Sequence, residues 1–409
     1  MRDPQQIAAE FDLEHLPDDF YADPFPYYAA LRCHAPVKRM PNGSYLLTRF
    51  ADCEAVYKDP KTFSSDKKVE FKPKYGDSPL YEHHTTSLVF NDAPLHTRVR
   101  KLILGALTPR ALKSMEPGLV LLVEQLLDAM EEKHARTGTV DIIEDFASAI
   151  PVEIIGNLLA VPAQDRGPLR GWSLAILGAL EPRITPEQLD AGNRAVREFL
   201  DYLEILVAER KKKPGDPETD VLTRLIQGEV DGEKLRHHEL LQNCIFILNA
   251  GHETTTNLIG NSIVTLALHP GERAKLIANP EVLRTGLEEV LRFESSNQLG
   301  NRIVAVPTEI AGVAMPAGTL ITTCIGAANR DPEVFPEPDR FDIARSPNRH
   351  LAFAGGPHQC AGMNVARMEG RIAVAGFLAR FPDYALAGAP ERSRRARFRG
   401  FNRIPVRLK

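Results

Sequence analysis

The chain has 409 residues, 43% apolar and 25% charged, which suits a large globular core and excludes a wholly disordered protein. Its net charge of −4 argues against nucleic acid as a whole-protein partner, yet Arg345 to Lys409 carries thirteen Lys and Arg against three Asp and Glu. That local excess of ten reads either as a solvated basic surface or as a docking face for an acidic partner.

In chain order, Met1-Arg-Asp-Pro-Gln-Gln-Ile7 has no apolar run after a basic one, so no secretory signal is expected. Val37 to Thr48 predicts a hairpin turning at Asn42-Gly43. Leu119 to Glu132 and Ala195 to Lys211 carry apolar residues at helical spacing, and Pro214 to Asp220 reads as a surface loop. A helix spanning about 238–268 follows, roughly 45 Å long at 1.5 Å per residue. Its apolar residues lie nearly all round, which marks it as buried. Asn249, His252, Glu253, Asn257 and Asn261 make it a poor membrane span, and no other stretch is long and apolar enough. In its middle lies Ala250-Gly251-His252-Glu253-Thr254-Thr255, where Gly and Thr weaken a helix and a buried Glu demands a partner. A core helix with a satisfied polar notch is the competing and less favoured reading. A second strand-like patch, Val304 to Thr323, breaks at Pro316-Ala317-Gly318. The expectation is one domain over 1–409, mainly α with small β-sheets. The cysteines at 33, 53, 244, 324 and 360 show no CxxC spacing and suit reduced thiols in a cytoplasm.

Phe353-Ala-Gly-Gly-Pro-His-Gln-Cys360-Ala-Gly362 is a glycine-rich loop followed by helical spacing from Met363 to Phe377. Cys360 therefore stands at a helix N-terminus, which favours a thiolate. A lone cysteine is more often an inert hydrophobe, but this one has a glycine loop before it, a helix after it and His358 nearby. The segment resembles the haem-binding loop of the cytochrome P450 family, Phe-Gly-x-Gly-x-His-x-Cys-x-Gly. The match falls at Phe353, Gly356, His358, Cys360 and Gly362. The departure is Ala354, where Gly is usual and where Gly355 is expected to absorb the change. Ala250 to Thr255 resembles the family's oxygen-activating stretch. Glu289-Val-Leu-Arg292 resembles its Glu-x-x-Arg pair, with Arg340 as the third member, whereas Glu281 and Arg284 repeat the spacing by coincidence. The family's usual Pro near 296 is absent from Phe293-Glu-Ser-Ser296.

The resemblance implies the cytochrome P450 fold and a haem b held by Cys360 as axial thiolate, with Ala250 and Gly251 beside it. It implies that His96, Arg100, Arg302 and His358 hold the propionates; each alone would pass for a surface charge. Thr254 would hydrogen-bond oxygen and Glu253 would relay protons. The implied reaction inserts one atom of O2 into a C–H bond, by hydroxylation or O-dealkylation. Electrons would come from a separate ferredoxin and its reductase, because only 49 residues follow Cys360 and no flavin or iron–sulfur motif occurs. The ferredoxin would dock on the basic C-terminal stretch with Arg98 and Lys101. Substrate-lining candidates are Phe246, Leu248, Asn297 and Gln298. The expected substrate is small and mainly apolar, aromatic bodies included, with one polar group. Lys67, Lys68, Lys72 and Lys74 offer recognition of a carboxylate, although loop lysines are more often solvated. A cytoplasmic monomer with no membrane partner is expected. The competing readings are a peroxide-driven haem-thiolate enzyme, a non-catalytic haem sensor and a cofactor-free helical binding protein.

Overall fold

The long helix runs His237–Leu268 in the computed structural model of the chain, which describes residues 3–230 and 232–409. Met1 and Arg2, the start of the segment expected to hold no signal, lie outside the described residues. Glu239 caps the first turn by accepting the Arg236 backbone N–H at 2.8 Å. From Glu239 to Leu266 every side chain is buried except at Phe246, Ile247, Ala250, Gly251 and Thr254. These recur every three or four residues, so they form one open stripe on an otherwise enclosed helix. Leu248 is not on it. At 3.6 residues per turn Leu248 stands about 200° round the axis from Phe246. It is fully buried in the main core, which corrects the expectation that both residues share a substrate-facing surface.

Helices Ala149–Leu158, Leu169–Gly178, Pro186–Lys212 and Met363–Arg380 pack around this axis. Two helices run further than their apolar periodicity suggested. Pro109–Thr137 contains Pro117 in its interior, and Pro186–Lys212 starts at a capping box between Thr185 and Gln188. The expected hairpin is present, Val37–Arg39 against Tyr45–Leu47, with Gly43 at φ +84°. It belongs to a five-stranded sheet that continues through Leu320–Cys324 and Leu299–Val304 to Phe63–Ser64. The strand-like patch thus begins earlier than expected, at Leu299, and this sheet is what carries Arg302. Near the C-terminus Glu391–Arg392 pairs with Phe401–Arg403, and the turn between them returns to the core. There the Arg397 carbonyl accepts the Gln298 N–H at 2.8 Å.

Arg292 is fully buried and grips the Glu289 carboxylate with two N–H groups, at 2.7 and 2.8 Å. The third arginine of this network is Arg345, not Arg340. Arg345 Nε donates to Glu289 Oε1 at 3.0 Å, whereas the Arg340 side chain is exposed and pairs with Glu337. Arg340 contributes its backbone carbonyl, which accepts from both Arg292 and Arg345. The basic C-terminal stretch is likewise largely paired with acids of the same chain. Arg367 pairs with Glu288, Arg371 with Glu116, Arg380 with Asp128 and Glu131, and Arg392 and Arg399 with Glu294. Arg98, expected on the docking face, is held by Glu233 and Glu239. Several of these charges are therefore neutralised by acids of the same chain, although Arg371 and Arg380 stay exposed, as do Arg349, Arg403, Arg407 and Lys409. Among the described residues no helix is long and apolar enough to cross a membrane.

Candidate active site

The loop before Met363 is fixed by its own backbone. Cys360 N–H donates to the Phe353 carbonyl at 2.9 Å, and Gln359 N–H to Gly356 at 3.0 Å. Gly356 sits at φ +64°, and a Cβ there would lie 2.0 Å from the Tyr57 carbonyl oxygen, so no other residue fits. Gly355 does not absorb the Ala354 substitution: Gly355 is extended at φ −157°, and Ala354 itself takes φ +54°. Gly362 carries neither constraint, with φ −91° and open space around it. The Phe353 ring lies 4.8 Å from the Arg367 guanidinium, which Glu288 holds at 2.7 Å through both oxygens. Cys360 keeps exposed area although protein encloses it, as a residue lining an internal recess does. Burial pushes its thiol up, while the Gly362 N–H, Arg100 and Arg367 favour the thiolate.

Four cationic or imidazole groups meet beside this loop. The His96 and His358 rings lie 3.8 Å apart, and His96 Nε2 is buried without a partner. Burial lowers His96 to about 4, reinforced by Arg100 and Arg302; burial, then Arg302, His96 and Arg100, lower His358 to about 3. Arg302 is buried over the Tyr57 ring at 5.2 Å. The nearest acid is Asp92, 4.0 Å from His358 Nε2, and it is already engaged by Ser64 and Ser65. The Arg100 and Arg302 guanidinium groups, without a carboxylate partner among the described residues, and the orphaned His96 nitrogen suit anions, and the two carboxylates of a haem would meet that need. The Cys360 sulfur is the group on this loop that would bind the iron of a haem, whose chemistry a thiolate supports.

On the central helix, Ala250 and Gly251 present almost no side chain to the open stripe, and a Cβ on Gly251 would press on Ile155. The Thr254 hydroxyl donates back to the Ala250 carbonyl at 2.9 Å. Glu253 is buried, and its partner was not visible in the sequence: Arg395 Nη1 at 2.5 Å, from the C-terminal hairpin. Burial pushes Glu253 up to about 7, aided by Glu181 and opposed by Arg395. A second hidden acid, Glu369, lies under the Thr255 hydroxyl and is pushed by burial up to about 8. Of the polar substrate candidates, Gln298 is buried, donates to the Ser295 carbonyl at 2.6 Å and packs on Gly326, so it does not line the recess. Asn297 is half-buried and bridges to Phe398. Residues 68–75 form a helix rather than a loop. Lys67 is fully buried against Glu70 and Lys74 is half-buried, while Lys68 and Lys72 pair at the surface with Asp66 and Asp77.

The family model described as "Cytochrome P450" matches residues 180–382. "Vitamin D(3) 25-hydroxylase" of Pseudonocardia autotrophica is 35% identical over 396 residues, covering 95% of this chain and 94% of that protein. "6-deoxyerythronolide B hydroxylase" of Saccharopolyspora erythraea is 34% identical, covering 97% and 98%. The structure of P450BioI in complex with a hexadec-9Z-enoic acid-ligated acyl carrier protein superposes with a TM-score of 0.89 at 32% identity, covering 96% of this chain and all of that one. With the thiolate loop, the anion-seeking cluster and the whole-chain likeness in agreement, the chain belongs to the cytochrome P450 family, monooxygenases whose cofactor is haem b.

Proposed function

We propose that the chain, acting as one unit from end to end, hydroxylates a small, mainly apolar molecule, aromatic ones included. The balance is RH + O2 + 2e⁻ + 2H⁺ giving ROH and water. The observation that carries this reading is Cys360 in its fixed loop together with Thr254 on the open stripe of the central helix and the buried acid Glu253 beside it in the chain. When bound, the haem supplies oxygen binding and O–O cleavage, which a thiolate ligand favours. The protein does the rest. Cys360 would hold the iron, and His96, Arg100, Arg302 and His358 the propionates; Phe353, Gly356 and Gly362 belong to the loop that carries Cys360. Ala250 and Gly251 would leave room for the group beside the central helix. Thr254 exchanges its bond to Ala250 for one into the recess. Glu253, poised near neutrality, holds a proton one residue away and passes it on when its contact with Arg395 opens. Phe246 and Asn297 border the substrate space. Relatives named as hydroxylases support hydroxylation over O-dealkylation.

Electrons come from a ferredoxin and its reductase in a cytoplasmic setting, where the chain works as a monomer with free thiols. Docking then rests on cations such as Arg349, which stacks on Phe50 at 5.4 Å and has no acidic partner among the described residues. Its rate should fall with added salt. The decisive measurement is the reduced, carbon monoxide-bound difference spectrum beside that of Cys360→Ser. A far-red-shifted Soret band lost in the variant is expected; a band typical of imidazole ligation in the native protein overturns the reading. Thr254→Ala should keep that band while diverting consumed O2 into hydrogen peroxide.

A further inference from the structure

The C-terminal hairpin turn that delivers Arg395 to Glu253 also carries Arg397, and Arg397 has no carboxylate on its side chain. Its Nε donates to the Leu180 carbonyl at 3.1 Å, its Nη1 to the Leu299 carbonyl at 2.8 Å and its Nη2 to Asn301. Like Cys360, it keeps exposed area while protein surrounds it, so it also lines an internal space. It stands three residues along the strand from Arg302 through its contact with Leu299, and two residues along the chain from the counter-ion of Glu253.

Lys67, Lys74 and Arg397 face Glu70 and Glu181, with Glu14 acting on Lys74 as well, and Lys67 with Glu70 are already paired at 2.5 Å. Lys74 Nζ donates only to the Glu181 backbone carbonyl, at 2.8 Å. The Glu181 carboxylate is turned to the backbone: Oε2 accepts the N–H of Ala396 at 2.9 Å and of Arg397 at 3.3 Å. Neither Lys74 nor Arg397 is bonded to a carboxylate through its side chain, in a site where burial lowers Lys74 to about 8. A third group points the same way. His84 is 2% exposed, its Nε2 has no partner, and both Lys74 and Arg397 lie within electrostatic reach of it. Phe71, Tyr75 and Phe90 ring it with centroids 5.4 to 5.7 Å away, an apolar enclosure with a cationic floor.

We propose that Arg397, Lys74 and His84 form an anion subsite that anchors the carboxylate of a monocarboxylic acid substrate, with its apolar body directed towards the open stripe of the central helix. This rests on the monooxygenase reading and sharpens its substrate from a molecule with one polar group to an acid. The spare guanidinium and ammonium N–H groups take the two carboxylate oxygens.

The test uses the haem-loaded protein, first shown by its carbon monoxide spectrum to be thiolate-ligated; failure at that step overturns the monooxygenase reading and the substrate assignment with it, whereas the outcomes below bear on the subsite alone. Decanoate and 4-ethylbenzoate are titrated beside decanamide, 4-ethylbenzamide and decyltrimethylammonium. Binding is followed by the haem spin-state shift and by calorimetry. At least one acid should bind about tenfold or more tightly than its amide, a difference that a charge-assisted pair readily supplies. Arg397→Gln and Lys74→Met should each erase that preference while leaving amide binding within about twofold. Lys74 is half-buried at the surface end of the site, so its variant serves if Arg397→Gln fails to fold. Equal binding of acid and amide, acid binding untouched by the Lys74 change, preference for the ammonium compound, or no binding of either acid each overturns the subsite.

Discussion

Ala354 adopts φ +54°, a region that costs a residue with a Cβ about 1–2 kcal/mol. Ala354→Gly removes that cost and offsets about half of it through the greater freedom of glycine in the unfolded chain. A gain of roughly 0.5–1 kcal/mol is expected, read as a rise of about 1–2 °C in the melting midpoint with an unchanged carbon monoxide spectrum. Gly356→Ala should behave oppositely. Its Cβ would strike the Tyr57 carbonyl, a backbone atom that cannot step aside, so the thiolate band should be lost or greatly reduced. Arg395 sets a third expectation. It is the cation that holds Glu253 down against burial, so Arg395→Met should raise the Glu253 pKa beyond about 7. The pH dependence of coupled turnover should then shift towards higher pH. Cys360 and His358 were legible because their spacing is local and chemically unusual. Arg395 was not: it pairs with a glutamate 142 positions away, and nothing in its surroundings distinguishes it from its arginine neighbours.

Single residues act through the segments that present them, and here periodicity misled in identifiable ways. The central helix was legible from end to end because apolar residues surround it, but that same uniformity concealed which face opens. Only the burial pattern separates Phe246 and Ala250 from Leu248. Gln298 was drawn from a polar run, Ser295 to Gln298, yet the chain turns it inward to bond Ser295. Arg340 was assigned by motif position, yet three arginines lie near that bend, and Arg345 reaches Glu289. Arg345→Ala should therefore destabilise the protein by about 3 kcal/mol, the order seen when one partner of a buried ion pair is removed. Arg340→Ala should stay within about 0.5 kcal/mol, since its side chain makes only an exposed pair and its carbonyl survives. Chemical denaturation of the two variants side by side separates these expectations.

Over the whole molecule, burial of ionisable groups shapes the response to pH. Glu369 is raised by burial from 4.5 to about 8, with Thr255 pulling the other way. A raised carboxyl favours the folded state in its neutral form. Its contribution is complete below about pH 4.5 and is lost as pH rises through about 8. Glu369→Gln keeps the shape and removes the titration, so its melting midpoint should fall less than that of the native protein between about pH 5 and 8. The surplus of arginine near the C-terminus was countable in the sequence, but whether those charges face water or the interior depends on contacts between distant segments. The hairpin that closes the chain is held by contacts of this kind. It carries the counter-ion of the proton donor and, two positions on, the anchor proposed for the substrate. Two ligands that pull on one short rigid turn are thermodynamically linked, and the linkage is reciprocal. An acid seated at Arg397 and a proton seated on Glu253 should each strengthen the hold on the other, so that arrival of the molecule to be oxidised keeps the proton loaded for its turn.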